Sequence, residues 1–290
     1  MITAPFDYSA PPALPEALEL LASRGDDGKV LAGGHSLLPL MKLRLATPSL
    51  LVDLRRLEDL RFIRRVEDRI EIGAMTRYVD VEDSDVVARD LPLLSQAVPL
   101  IGDAQVRNRG TIGGAVVHAD PAGDMPALVC VLQATIHATS PRGERSWPAE
   151  DFFQDIFTTP LEPDEIVTKL TFPIEPNVRQ YYEKFRLRLC DWAIVGAAFT
   201  GVLEDGRLRS VRLALANVAP VPQRARRAEE MLEGAEPTVT ILRAACDLAA
   251  DGLDPTPELQ ASKEYKLHLA TVISRRAMEH ALGNGVTASH

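Results

Sequence analysis

A proline-punctuated break at Pro173-Ile174-Glu175-Pro176-Asn177 divides this chain of 290 residues into two stretches with different element patterns. That change limits the folds open to it more than any other feature. Beyond the break, residues 181–189, 193–203 and 207–217 read as three long strands, the last two joined by a tight turn at Glu204-Asp205-Gly206. Helical patterns follow over residues 223–233, 239–250 and 263–282. Strands followed by helices predict an antiparallel sheet covered on one face, an α+β layer. The length suits two modest domains better than one core.

Before the break, helices and strands alternate. Residues 14–22, after Pro11-Pro12, predict a short amphipathic helix ending near Gly25, and residues 29–32 a strand. Ser36 is a candidate cap for a helical turn through Met41, and a strand at 50–53 follows Pro48. Residues 61–66 and 69–73 flank Glu67-Asp68 as a hairpin. Thr76 could cap a helix reaching Arg89, a second helix covers 93–101, and Asp124 could cap a third through Leu132. Strands resume at 135–139 and 166–172, and no internal repeat or low-complexity tract is present.

Two glycine pairs stand out here, each expected in a loop after a strand: Ala32-Gly33-Gly34-His35-Ser36 and Thr111-Ile112-Gly113-Gly114. A backbone without side chains can approach a ligand closely, and its N–H groups can converge on a phosphate. Two such loops, one with a Ser and one with a Thr, suggest a ligand carrying more than one phosphate. Neither is the G-x-G-x-x-G of a Rossmann unit.

The balance of 32 basic to 41 acidic residues, net −9, argues against general nucleic-acid binding. No stretch is long and apolar enough to span a bilayer, and the N-terminus has neither the basic start nor the apolar run of a signal peptide. Cys130, Cys190 and Cys246 are far apart, with no metal-ligand spacing, so neither zinc nor an iron–sulfur cluster is expected on this chain. Three reduced, buried thiols in a cytoplasmic protein are expected instead.

Residues 32–46, Ala32-Gly33-Gly34-His35-Ser36-Leu37-Leu38-Pro39-Leu40-Met41-Lys42-Leu43-Arg44-Leu45-Ala46, resemble the first flavin loop of the medium subunits of carbon-monoxide-dehydrogenase-type molybdenum hydroxylases, of the xanthine dehydrogenase family. Thr111-Ile112-Gly113-Gly114 with Asp120-Pro121 and Asp124-Met125-Pro126-Ala127-Leu128 resembles their second loop. Residues 185–194, with Cys190-Asp191-Trp192-Ala193, resemble the opening of their C-terminal domain. The resemblance covers nearly the whole chain. It implies a two-lobed FAD-binding domain of the PCMH (vanillyl-alcohol-oxidase-like) type over residues 1–175, followed by a smaller α+β domain with an antiparallel sheet and helices over 178–287.

By this resemblance Ala32, Gly33, Gly34, His35 and Ser36, with Thr111, Ile112, Gly113, Gly114 and Ala115, wrap the diphosphate and ribityl chain of FAD. Ile101 and Val167 stand where relatives press apolar groups on the cofactor. Asp124 aligns with a carboxylate that contacts FAD, Lys184 with a lysine near the flavin, and Trp192 with an aromatic position near the ring system. Ala115 departs from the Asn of many relatives and removes a side-chain hydrogen bond. From the residues alone, His35 reads as packed or hydrogen-bonded within its loop rather than as a covalent flavin link or general base, and His118 with Asp120 as too thin a pair for a catalytic dyad. Arg224, Arg226 and Arg227 read as a solvated helix face, with a docking patch for an acidic partner as the alternative.

The function implied is an FAD-binding electron-transfer subunit of a heterotrimeric molybdenum hydroxylase, an oxidoreductase component with no catalytic acid, base or metal ligand of its own. A small subunit with two [2Fe–2S] clusters and a large molybdenum–pterin subunit would be its partners, with an external electron acceptor, and the complex would lie in the cytoplasm or peripherally at the inner face of the membrane. Substrate identity would belong to the large subunit. The missing cysteine-rich insertion speaks against the 4-hydroxybenzoyl-CoA reductase branch. A self-contained flavoprotein oxidase or dehydrogenase, and a non-redox nucleotide-binding module, are the alternatives.

Overall fold

The computed structural model describes residues 2–286; the expected outer domain ends, residues 1 and 287, lie outside them. The chain opens with β1 (Asp7–Ser9), α1 (Leu14–Arg24), β2 (Gly28–Leu31), α2 (Leu37–Lys42) and β3 (Leu50–Asp53). The three strands form a parallel sheet in the order β1-β3-β2. Parallel strands require crossovers: α1 lies between β1 and β2, which flank β3, and α2 between the neighbours β2 and β3. Pro15 sits in its first turn, where a missing N–H costs nothing, and Ala17, Leu18 and Leu21 make its buried face.

A second, antiparallel sheet follows, opened by the hairpin β4 (Ile63–Val66) and β5 (Arg69–Gly73). A run of short helices comes next: α3 (Tyr78–Glu82), α4 (Asp85–Asp90), α5 (Pro92–Ala97), α6 (Ala104–Arg109), α7 (Ile112–His118) and α8 (Asp124–Val131). Then β6 (Thr135–Ser140), β7 (Gly143–Pro148), α9 (Ala149–Phe152) and β8 (Ile166–Pro173) complete the lobe, with β8 inserted centrally to give the order β4-β5-β8-β6-β7.

The third sheet runs β12-β11-β10-β9, from β9 (Val178–Phe185), β10 (Val195–Glu204), β11 (Arg207–Ala216) and the two-residue β12 (Gln223–Arg224). α10 (Arg226–Leu232), α11 (Val239–Ala250) and α12 (Lys263–Leu282) follow. Alternation along these strands divides the side chains between two cores. Ala197, Phe199, Leu213 and Leu215 join the residues of α10 to α12, whereas Tyr182, Ala198, Ala214 and Ala216 join the core of the preceding lobe.

The sheet is therefore covered on both faces, not on one as its strand–helix order predicted. The second cover is α8, every residue of which is buried. A helix apolar on all sides gains about 1.5–3 kcal/mol for each large side chain it buries, and the alanines opposite let it approach. Its C-terminal carbonyl at Val131 accepts a hydrogen bond from Arg212 Nε at 2.8 Å, and the same guanidinium pairs with Glu175. A cation at a helix C-terminus complements the helix dipole.

Several local expectations are corrected. Thr76 does not cap a helix: its buried hydroxyl bonds the backbone of Phe62, and Ser84 starts a separate α4. Asp124 is the first residue of α8, with Gly123 at the cap, and Ser36 makes no side-chain cap bond. The second glycine pair lies inside the first turn of α7 rather than in a loop after a strand. β1, β7 and α6 escaped the pattern reading because they are short or amphiphilic. Arg224, Arg226 and Arg227 are not a bare solvated face: Arg224 pairs with Glu150 and Glu229, Arg226 with Glu150, and Arg227 with Asp251. Cys130 and Cys246 are buried, but Cys190 is exposed.

Candidate functional site

A cavity of about 880 Å³ opens where the two lobes of the first 175 residues meet the strand ends of the third sheet. Its size is that of a site for a large organic cofactor. Ala32, Gly33, Gly34, His35 and Ser36, between β2 and α2, form one wall. Thr111, Gly113, Gly114 and Ala115, at the start of α7, form the wall beside it. Ile101 and Val167 add apolar surface, and Asp124, Lys184 and Trp192 come from α8, β9 and the β9–β10 connection. Fourteen of the fifteen expected residues are thus brought together from distant parts of the chain. Ile112 is the exception: its side chain is fully buried in the core and its N–H donates to Thr76 O at 3.0 Å.

The first glycine pair packs on the Arg109–Gly110 backbone that leads into α7, and the second on Ala74. A Cβ at Gly33 would stand 2.3 Å from Arg109 O and 2.9 Å from Gly110 Cα, and one at Gly113 2.5 Å from Ala74 Cβ. Gly34 adopts φ +79°, the left-handed region that glycine enters without strain. The loops differ in what they offer a ligand. Among the described residues, the N–H groups of Gly34, His35 and Ser36 have no protein acceptor, and the Ser36 hydroxyl makes no cap bond. In the second loop the donors are already engaged: Gly113 N to Ala74 O at 3.0 Å, Gly114 N to Thr111 Oγ1 at 3.1 Å, and Ala115 N to Thr111 O at 3.1 Å. Open amide donors therefore come from the first loop. The second contributes a flat surface, since a Cβ at Gly114 would meet only Thr111 Oγ1 at 2.8 Å and Ala32 Cβ at 3.6 Å.

The charged wall is buried. Lys184 Nζ lies 2.8 Å from Asp124 Oδ2 and donates to Leu100 O at 3.1 Å, with both side chains almost wholly shielded from water. Burial pushes the Asp124 carboxyl above the ordinary carboxylate range, while Lys184 and a hydrogen bond from Tyr182 pull it back. His35 is exposed at the rim rather than packed in its loop. His118 Nε2 stands 3.7 Å from Asp120 Oδ2, beyond a hydrogen bond, and its ring packs on Phe157 with centroids 5.0 Å apart. Burial lowers His118, with Asp120 opposing. Trp192 is 56% exposed at the mouth.

Residues that the sequence reading passed over also line the cavity: Met75, Tyr78 and Val106, together with Cys190 and Asp191. The strand alternation of β9 was one available signal, because it puts Tyr182 and Lys184 on the same face. Nothing local marks Met75 or Tyr78.

Free amide donors, glycine-thinned walls and an apolar remainder fit a diphosphate joined to an aromatic system. A two-lobed α+β domain bearing such a cavity, closed by a further antiparallel sheet, defines the class of two-domain flavoproteins. Residues 4–175 match the FAD binding domain in molybdopterin dehydrogenase, and residues 180–281 match the CO dehydrogenase flavoprotein C-terminal domain. The chain is 39% identical over 282 residues to the carbon monoxide dehydrogenase medium chain of Hydrogenophaga pseudoflava, covering 97% of this chain and 98% of that one. It is 36% identical over 279 residues to the 6-hydroxypseudooxynicotine dehydrogenase complex subunit alpha of Paenarthrobacter nicotinovorans, covering 96% and 94%. The solved structure of the Hydrogenophaga pseudoflava carbon monoxide dehydrogenase lacking the Mo-pyranopterin moiety superposes with a TM-score of 0.95 at 41% identity, covering 97% of this chain and 98% of that one. The chain belongs to the family of FAD-binding medium subunits of molybdenum hydroxylases.

Proposed function

We propose that this chain receives electrons from the [2Fe–2S] clusters of a small partner subunit and passes them to an external acceptor, while a large molybdenum–pterin subunit oxidises the substrate. The observation that carries this reading is the set of open Gly34, His35 and Ser36 amides on an 880 Å³ cavity that 14 of the expected residues share. FAD, when bound, supplies a centre able to take up electrons singly and release them in pairs. The chain's own residues bind and orient it. Ala32 to Ser36 hold the diphosphate through backbone amides and the Ser36 hydroxyl. Thr111, Gly113, Gly114 and Ala115 lie flat against it, Ile112 supporting them from the core, and Ile101 and Val167 press on its apolar parts. Lys184, paired with Asp124, sets the charge beside the ring, and Trp192 covers the mouth. The FAD-binding domain spans residues 1–175 and the C-terminal domain 178–287.

The test is purification of the native complex through a tag on this chain, with its visible spectrum, iron and molybdenum measured. Flavin, iron, molybdenum and two co-purifying chains are expected. Flavin in a lone, metal-free chain would replace this reading with a self-contained flavoenzyme.

A further inference from the structure

Beneath the cavity wall lies a hydrogen-bonded group that the binding roles above do not use. Tyr182 is 1% exposed, and its phenol donates to Asp124 Oδ1, leaving Oδ2 for the Lys184 ammonium at 2.8 Å. Three further features build this arrangement. β9 is an edge strand, and the Gln96 side chain of α5 satisfies both backbone groups of Tyr182, accepting from its N–H at 2.9 Å and donating to its carbonyl at 3.1 Å. Gly196 on β10 leaves room for the phenol, since a Cβ there would stand 2.3 Å from the Tyr182 hydroxyl oxygen. Leu100 O accepts from both Lys184 Nζ and Arg186 Nη1 at 3.1 Å, so Tyr182 and Lys184 of β9, and Arg186 just past its end, face this spot.

We propose that Tyr182 is a positioning residue for the cofactor: by fixing Asp124 it holds the Asp124–Lys184 pair in its charged form against the cavity, and this buried triad sets how the flavin reduction potential depends on pH. The inference rests on the reading of the cavity as the FAD site. A carboxylate with one oxygen tied to a phenol cannot rotate away from the ammonium, and removing that bond disfavours its ionised form. The titratable and charged groups facing Asp124 are Tyr182 and Lys184 of β9, Arg186 just past its end, and Tyr78 of α3. His118 of α7 and Asp120 of the turn before α8 line the same cavity. At the far end of α8, Glu150, Arg224 and Arg226 face Cys130 instead. When Asp124 takes a proton, the negative charge on this wall is lost, which favours the reduced cofactor and raises the potential.

The experiment is redox titration of the holo complex across the whole pH range in which it stays folded, followed by flavin absorbance, for wild type and Tyr182→Phe. The variant is expected to keep its FAD, while the inflection in potential against pH moves to higher pH, so that between the two inflections its potential is less negative than that of wild type. A curve superimposable on wild type, in a variant that keeps FAD, overturns the proposal. If Tyr182→Phe loses FAD, Asp124→Asn reconstituted with excess FAD decides: the inflection disappears if the triad causes it, and its persistence overturns the proposal. A wild-type complex without FAD would instead refute the reading of the cavity.

Discussion

Gly33→Ala tests the packing of the first glycine loop on the Arg109–Gly110 backbone most directly. The backbone at Gly33 is not in the left-handed region, so the substitution adds contact without adding backbone strain. Its methyl would stand 2.3 Å from Arg109 O, 2.9 Å from Arg109 C and 2.9 Å from Gly110 Cα. These are backbone atoms that cannot rotate aside, and comfortable contact needs about 3.5 Å. The loop must therefore move off this backbone by about 1 Å, an overpacking that costs about 1–3 kcal/mol of stability. The same movement takes the Gly34 and His35 amides out of reach of a phosphate. Each charge-assisted bond contributes about 1.5–3 kcal/mol, so losing two weakens FAD binding by about 100-fold to 10,000-fold. The assay is titration of FAD into the deflavinated complex, read by flavin fluorescence, beside a thermal melt. A variant that binds FAD within about threefold of wild type and melts at the wild-type temperature would refute the loop-contact argument.

Gly34→Val should remove FAD because a β-branched side chain is strained at φ +79°, and Gly114→Val because its methyls enter the cavity beside Ala32; normal flavin content in both would defeat the assignment. Trp192→Ala, at a position 56% exposed, should change the melting free energy by no more than about 0.5 kcal/mol and retain FAD, yet alter flavin reduction and reoxidation; unchanged kinetics would remove Trp192 from the site. Burial lowers His118, so its contribution to stability is full above the unfolded value of about 6.5 and is lost as pH falls through that value towards the folded one. The melting temperature should therefore fall on acidification, and less steeply in His118→Gln; identical pH slopes in the two proteins would contradict this, because burial also lowers His137 and only the His118 part is removed.

The elements most legible in the amino-acid order were those with long regular patterns. β10, β11 and α12 were predicted within two residues of their observed ends, since ten-residue strands and a 20-residue helix carry enough period to be recognised. The helical run from Tyr78 to Val131 was blurred, because helices of five to eight residues span too few turns to show a period, and α8, buried throughout, shows no amphipathic contrast. Both glycine pairs were visible as sites of close backbone approach. That the first keeps its amides free while the second spends them on Ala74 and Thr111 was invisible, because hydrogen-bond partners are set by neighbours in space.

The order of residues was sufficient to establish the class of fold, the two glycine loops and, through the extended 32–46 motif, the family. Such features are local: a turn that needs glycine, a period that needs an apolar face. The tertiary structure alone decided that the two charged residues of the site pair with each other and with Tyr182. Asp124 and Lys184 are 60 positions apart, and Asp124 and Tyr182 are 58 apart, in segments whose local patterns say nothing of each other. They meet because α8 is apolar on every side and can only be buried between two sheets. That packing carries Asp124, at its first turn, onto the face of β9 that holds Tyr182 and Lys184.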